Sequence, residues 1–293
     1  MSIAVIGAGK WGEALFRSLN INNSVVITSR KKRELENFVS IEEALKREYI
    51  VISVATQALK KFLKEINLKN KKILVASKGI DKENFKFINE IYEEFVPKEN
   101  LVYIGGPSFA KEVKEFKPTA LVLASYNLSL AKEFSQFFPD FIKTYIDNDV
   151  MGVEIAGAYK NVIAIAGGIC AGLELGENAK ASLLARGLVE MDRFGAVFGA
   201  KRETFLGLAG AGDLFLTANS TLSRNYRVGL GLAEGKKLET ILKEIGEVAE
   251  GVWTTTAIYN LSKKFGIYTP IANEVYAILN GKDIKQSLQD LLN

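Results

Sequence analysis

The residues Gly7-Ala8-Gly9-Lys10-Trp11-Gly12 have the spacing G-x-G-x-x-G, which gains meaning from what flanks it. The apolar run Ile3 to Ile6 before it reads as a strand, and the segment after it has helical character through Leu19. In that setting the first glycine permits a tight turn, the second lets backbone approach a pyrophosphate, and the third allows close helix-strand packing. The N-terminus of the helix favours the anion, and Lys10 adds charge beside it. A dinucleotide site follows. About 20 residues on, an acidic side chain would hold the free 2′-hydroxyl of NAD. Here the second strand ends in Thr28-Ser29-Arg30-Lys31-Lys32-Arg33. A cationic, hydroxyl-bearing turn suits a 2′-phosphate, because guanidinium binds phosphate through paired hydrogen bonds. NADPH is therefore expected over NADH, with NADH still usable, and Arg30 is the first candidate ahead of Ser29 and Arg33. A solvated basic helix start is the competing reading of the same turn.

The chain contains no His, which removes the commonest general acid/base and the commonest metal ligand; no metal is expected. Catalysis would have to use Lys, Tyr, Asp, Glu or Cys. Lys160 lies beside Asn161 in an otherwise apolar segment, where a lysine taken alone is usually a snorkelling side chain. Asp213 follows a Gly-rich run and suits either an orienting carboxylate or a helix N-cap. Lys78 ends a strand, the place where open α/β sheets hold ligands. The turn Gly105-Gly106-Pro107-Ser108 offers backbone N–H groups and a hydroxyl to an anion or substrate oxygen. Arg224-Asn225 supplies a counter-charge and a donor for a phosphorylated ligand, or is an exposed turn.

These groups need elements to carry them. Near-continuous apolar runs at Ile3 to Ile6, Val25 to Ser29, Tyr49 to Val54, Lys72 to Ala76, Leu101 to Gly105, Ala120 to Ala124 and Phe141 to Tyr145 alternate with helical segments. Such runs suit parallel strands covered on both faces. From about Val150, Gly and Ala become frequent and long apolar-periodic segments take over, as in Glu154 to Ala171, Ala179 to Phe198, Leu238 to Ile245 and Thr254 to Phe265. The expected fold is α/β, with a Rossmann-type doubly wound sheet over residues 1–148 and a mainly α-helical domain over residues 149–293.

Composition narrows the function classes. The 293 residues are 48% hydrophobic and 25% charged, with a formal net charge of +4, too slight for a nucleic-acid partner without a clustered basic stripe. The single Cys170 rules out an intramolecular disulfide and fits a reduced, cytoplasmic setting. The N-terminal strand is too short for a signal sequence, and Val162 to Leu173 falls short of the ~20 residues that span a bilayer. Neither export nor a membrane span is expected.

Taken together, Ser77-Lys78-Gly79, Gly106 to Glu112, Gly152 to Val162, Arg186-Gly187-Leu188, Thr204 to Leu214 and Ser223-Arg224-Asn225 closely resemble the bacterial NAD(P)-dependent glycerol-3-phosphate dehydrogenases. The resemblance runs from Gly7 to Glu250-Gly251-Val252 and more loosely to Pro270-Ile271. It implies interconversion of dihydroxyacetone phosphate and sn-glycerol 3-phosphate by hydride transfer, supplying glycerol 3-phosphate for glycerophospholipid synthesis. It makes Lys160 the proton donor and acceptor and puts Lys78, Gly106, Ser108, Asp213, Ser223, Arg224 and Asn225 around a small phosphorylated substrate; by their own chemistry, a neighbouring cation such as Lys78 helps Lys160 form the neutral base and Asp213 can orient the ammonium. Cofactor contacts are implied from Trp11, Arg30, Lys78, Ala110, Arg224, Val248 and Glu250. The pattern departs at Lys10, Glu13 and Ala218, where relatives commonly carry Ser, Thr and Cys; none of these removes a catalytic group. Hydride reduction of a ketone needs a proton for the developing alkoxide, which a lysine ammonium can give.

Two other functions share this architecture: an NADPH-dependent reductase of keto or hydroxy acids, and a non-catalytic NADPH-binding regulator. The regulator would not need Lys160, Lys78 and Asp213 together. Gly/Ala-rich apolar helices suit either a homodimer or packing within one chain.

Overall fold

The computed structural model describes residues 1–292. Apolar and mostly β-branched runs form the strands expected of them. Among the described residues these are β1 (Ser2–Ile6), β2 (Ser24–Thr28), β3 (Tyr49–Ile52), β4 (Lys72–Val75), β5 (Leu101–Gly105), β6 (Thr119–Ala124) and β7 (Ile142–Asp147). They form one sheet in the order β2-β1-β3-β4-β5-β6-β7. Central β3 and β5 are buried along their whole length, whereas edge strand β7 alternates buried and exposed positions at its start. The first five strands are parallel, but β6 pairs with β5 antiparallel and β7 follows β6. The link from β5 makes one short helix, Ala110–Lys114, that packs on the helix Lys10–Leu19 instead of crossing the sheet. The chain therefore re-enters at the end where it left.

The chain divides into two compact units: Met1–Lys78 with Ile88–Val153, and Gly79–Phe87 with the residues from Glu154 onward. Nothing local to Gly79–Phe87 marks it as part of the helical unit, with which it clusters. Two ring contacts are among those that join it to that unit. Phe87 meets Phe198 edge-on at 5.0 Å, and the Lys82 ammonium lies 4.8 Å from the ring centroid of Trp253.

The helical unit is built on Val150–Gly172 and Gly176–Val197, crossed by Arg224–Ala233, Glu250–Phe265 and Pro270–Leu279. Backbones touch where Val150–Gly172 meets Arg224–Ala233. A Cβ on Gly168 would lie 2.0 Å from the Tyr226 carbonyl oxygen, and one on Gly229 would lie 2.0 Å from that of Ile165. Only glycine at both positions lets the start of Arg224–Ala233 come down beside Asn161. The helix Val150–Gly172 is long and apolar enough to cross a membrane by length and composition, longer than the run Val162 to Leu173 suggested. Its most apolar window is 83% buried, the environment of a core helix.

Candidate active site

The Gly7-Gly12 loop leaves β1 with its glycines under different constraints. Gly7 has φ +111°, and its N–H donates to the Thr28 carbonyl at 2.8 Å, joining the exits of β1 and β2. A Cβ on Gly7 would lie 2.3 Å from the Ser53 carbonyl oxygen, and one on Gly12 would lie 1.7 Å from that of Gly7. The chain's own packing thus demands glycine at both. At Gly9 a Cβ would meet nothing within 4 Å. Open space there is what close approach of a pyrophosphate requires, so the loop fits a dinucleotide. Helix Lys10–Leu19 has Gly9 as its N-cap with no side-chain cap, which leaves its first N–H groups for an anion or water. In its first turn Glu13 accepts from Lys114 at 2.8 Å and from Arg17 at 3.0 Å. The Lys114 hydrogen bond foremost holds the Glu13 carboxyl below its ordinary value. Trp11 and Ala110 pack, partly buried, against the core beneath the loop.

Other expected groups gather at the same end of the sheet, beyond the carboxyl ends of the parallel strands. After β2 the chain forms a loop, not a helix start. The Ser29 hydroxyl donates to the Lys31 carbonyl at 2.7 Å, and Arg30, Lys32 and Arg33 are exposed. After β4, Ser77 Oγ donates to the Val54 carbonyl at 2.5 Å, and Thr56 Oγ1 donates to the Lys78 carbonyl at 2.9 Å. These bonds lash the exits of β3 and β4 together and hold partly buried Lys78 at the rim. After β5, Gly106 has φ +96°, and Ser108 Oγ donates to its carbonyl at 3.0 Å.

In the helical unit the Lys160 ammonium is buried, 8% exposed, and donates to Asp213 Oδ1 at 2.5 Å and to Thr217 Oγ1 at 3.1 Å. A snorkelling lysine would have its head in water; this one does not. Asp213 follows a π-helical turn, Leu208–Gly212, and opens the helix Asp213–Thr217. Gly212, not Asp213, is the N-cap, and the Asp213 carboxylate serves the lysine. The next residue of the long helix is also tied down. Asn225 Nδ2 donates to Asn161 Oδ1 at 2.9 Å, and Asn225 Oδ1 accepts from the Gly251 N–H at 3.0 Å. Ser223 caps Arg224–Ala233 by accepting from the Tyr226 N–H at 3.2 Å. Arg224 is exposed, 3.5 Å from the Glu247 carboxylate. That contact and the Asn225 bond to Gly251 bring Arg224 near the segment carrying exposed Val248 and the helix-opening Glu250. Among the described residues no group of three His, Cys, Asp or Glu is gathered as a metal ion would need.

Family models match both halves of the chain: NAD-dependent glycerol-3-phosphate dehydrogenase N-terminus over residues 32–131, and C-terminus over residues 149–289. A glycerol-3-phosphate dehydrogenase [NAD(P)+] of Wolinella succinogenes is 60% identical, the match covering 100% of this chain and 99% of that protein. The chain belongs to the NAD-dependent glycerol-3-phosphate dehydrogenase family. The family resemblance extends to three dimensions. The crystal structure of glycerol-3-phosphate dehydrogenase from Coxiella burnetii superimposes with a TM-score of 0.92 at 33% identity, covering 100% of this chain and 98% of that one.

In this glycerol-3-phosphate dehydrogenase fold, two side chains bonded to Lys160 or its neighbour, Thr217 and Glu190, lie outside the motifs visible in the sequence. Thr217 lies one turn after Asp213 on the same helix face and donates to Oδ1 at 3.3 Å; the i, i+4 spacing was its signal. Glu190, 1% exposed, accepts from the Tyr159 hydroxyl at 2.8 Å and from the N–H groups of Ile271 at 2.8 Å and Ala272 at 2.9 Å. Burial pushes its carboxyl up, against the lowering effect of those three bonds. Burial foremost, and then the neighbouring carboxylate, push the Tyr159 hydroxyl well above its ordinary value. Glu190 shares a buried stripe with Leu184, Gly187, Met191 and Phe194. A carboxylate at a core-facing position was its signal.

Proposed function

We propose that this chain interconverts dihydroxyacetone phosphate and sn-glycerol 3-phosphate with NADPH favoured over NADH, and that Lys160 gives and takes the proton. The observation that carries this reading is the buried ammonium of Lys160 fixed by Asp213 and Thr217 in a chain without histidine. The chemistry a bound nicotinamide supplies is hydride transfer to the carbonyl carbon. Lys160 donates a proton to the oxygen that becomes the alcohol, and Asp213 orients the ammonium and supports its charge before the proton leaves. In the oxidative direction the same nitrogen takes the proton back.

Arg224, with Asn225 and Ser223, binds the substrate phosphate, while Lys78, Gly106 and Ser108 hold substrate oxygens. For the cofactor, Gly7, Gly9 and Gly12 make room for the pyrophosphate, with Lys10 and Trp11 beside it. The exposed Arg30, helped by Ser29 and Arg33, takes the 2′-phosphate, and Lys78, Ala110, Arg224, Val248 and Glu250 complete the contacts. No metal takes part. The setting is cytoplasmic, the product feeds glycerophospholipid synthesis, and the Gly/Ala-rich helices suit a homodimer as well as packing within one chain.

The test is oxidation of NADPH and of NADH by the purified protein with dihydroxyacetone phosphate, followed by absorbance. Faster turnover with NADPH is expected. Absence of activity with both cofactors would overturn the reading, and equal efficiency with each would overturn the cofactor preference alone.

A further inference from the structure

Lys160 sits between two anchored neighbours. On one side Asn161 is bonded to Asn225, which in turn holds the Gly251 N–H. On the other side the Tyr159 hydroxyl donates to Glu190, which also accepts from Ile271 and Ala272 in the first turn of Pro270–Leu279. Consecutive residues point about 100° apart around a helix axis, so bonds at residues 159 and 161 restrain rotation of the helix from both sides of Lys160. Asn161 and Asn225 lie in the motifs Gly152 to Val162 and Ser223-Arg224-Asn225. Glu190 belongs to none of them.

Its position is costly without a purpose. An ionised carboxylate is expensive to bury, and an apolar side chain on that stripe would pack among Met191 and Phe194 without the expense. Two of its three partners are N–H groups at a helix start, where no side chain of that helix's own N-cap residue forms a capping bond. The third partner is the hydroxyl of the residue next to Lys160. Tyr159 is otherwise an apolar core residue, with its ring edge-on to Phe194 at 5.2 Å.

We propose that Glu190 is a positioning residue for the reaction, fixing through Tyr159 the rotation of the helix at Lys160 and hence the direction in which the ammonium points. The inference rests on Lys160 as the proton donor. Misplacing a reacting group by about 1 Å costs up to ~10²-fold in rate, so loss of one restraint has a measurable effect even when the fold survives.

The experiment compares Tyr159→Phe, Glu190→Gln and Lys160→Met with the parent enzyme, measuring kcat, KM for dihydroxyacetone phosphate, NADPH affinity and the solvent deuterium isotope effect on kcat. Tyr159→Phe removes the donor and keeps the ring, so it folds even if Glu190→Gln does not. Tyr159→Phe should lower kcat about tenfold with KM and NADPH affinity within about twofold, and should raise the isotope effect because proton transfer becomes the slower step. Glu190→Gln should do the same if folded. Loss of a fraction of the enzyme to misfolding would lower kcat with no change in isotope effect, and would overturn the positioning role. So would a folded Tyr159→Phe enzyme with normal kcat while Lys160→Met is inactive. Normal turnover in Lys160→Met would instead overturn the assignment of the proton donor.

Discussion

Substituting Lys160 tests the energetics of the site as well as its chemistry. The Lys160 and Asp213 side chains are 10% and 2% exposed, with 2.5 Å between charged atoms. Lys160→Met keeps much of the apolar stem but leaves a buried carboxylate without its cation. Breaking a buried pair from one side costs about 3–5 kcal/mol. The double variant Lys160→Met/Asp213→Asn removes both charges and should recover most of that loss, since replacing both partners approaches neutrality. Turnover should not recover: both variants lose about 10²-fold or more in kcat through lost proton transfer. Urea unfolding followed by tryptophan fluorescence, from Trp253 in the helical unit together with Trp11, gives the stability, and NADPH oxidation with dihydroxyacetone phosphate gives the rate. A Lys160→Met protein as stable as the parent would refute the buried-pair argument. A stable double variant with near-normal turnover would refute Lys160 as the acid/base and turn attention to Lys78.

Gly9→Ala should fold with stability within about 0.5 kcal/mol of the parent, because its Cβ meets nothing, yet bind NADPH more weakly. Gly12→Ala, with its Cβ 1.7 Å from a carbonyl oxygen, should lose about 1–3 kcal/mol or more; thermal unfolding and cofactor titration separate the two cases. Arg30→Asp should shift the NADPH to NADH ratio of kcat/KM by the equivalent of about 1.5–3 kcal/mol, the worth of a charged hydrogen bond, and an unchanged ratio would move the preference to Ser29 or Arg33. Arg224→Ala should cost about 1.5–3 kcal/mol in kcat/KM for dihydroxyacetone phosphate and much less for dihydroxyacetone; equal losses would point to a cofactor or structural role. The lowered pKa of Glu13 gives stability that is present above its ordinary value of 4.5 and is lost as pH falls through the folded-state value. Lys114→Met should therefore reduce stability at neutral pH by about 0.2–1 kcal/mol and not in strong acid, as unfolding across pH would show.

How far the site was legible depends on the distance over which each feature is determined. The strands fell within a residue or two of their expected bounds because each is a local apolar run, and Gly7 to Gly12 was readable because strand, loop and helix are contiguous. The reversal at β6 was not, since an apolar run carries the strand period but not its direction. That was decided by the packing of Ala110–Lys114 on Lys10–Leu19. Likewise, Phe87 joins the helical unit through Phe198, a partner far along the chain. Lys160 is the sharpest case. Its local surroundings suggested a snorkelling side chain, and the family resemblance, not periodicity, made it a candidate. Its ammonium is held by Asp213 and Thr217 on one helix, while its neighbours Asn161 and Tyr159 are tied to Asn225 and to Glu190, which also holds the start of Pro270–Leu279. Asp213 and Asn225 read locally as a cap and an exposed turn, and the local signals of Thr217 and Glu190, a spacing and a core-facing carboxylate, name no partner. What marks them together is that several are polar at core-facing positions, a costly choice that makes physical sense only where the groups meet.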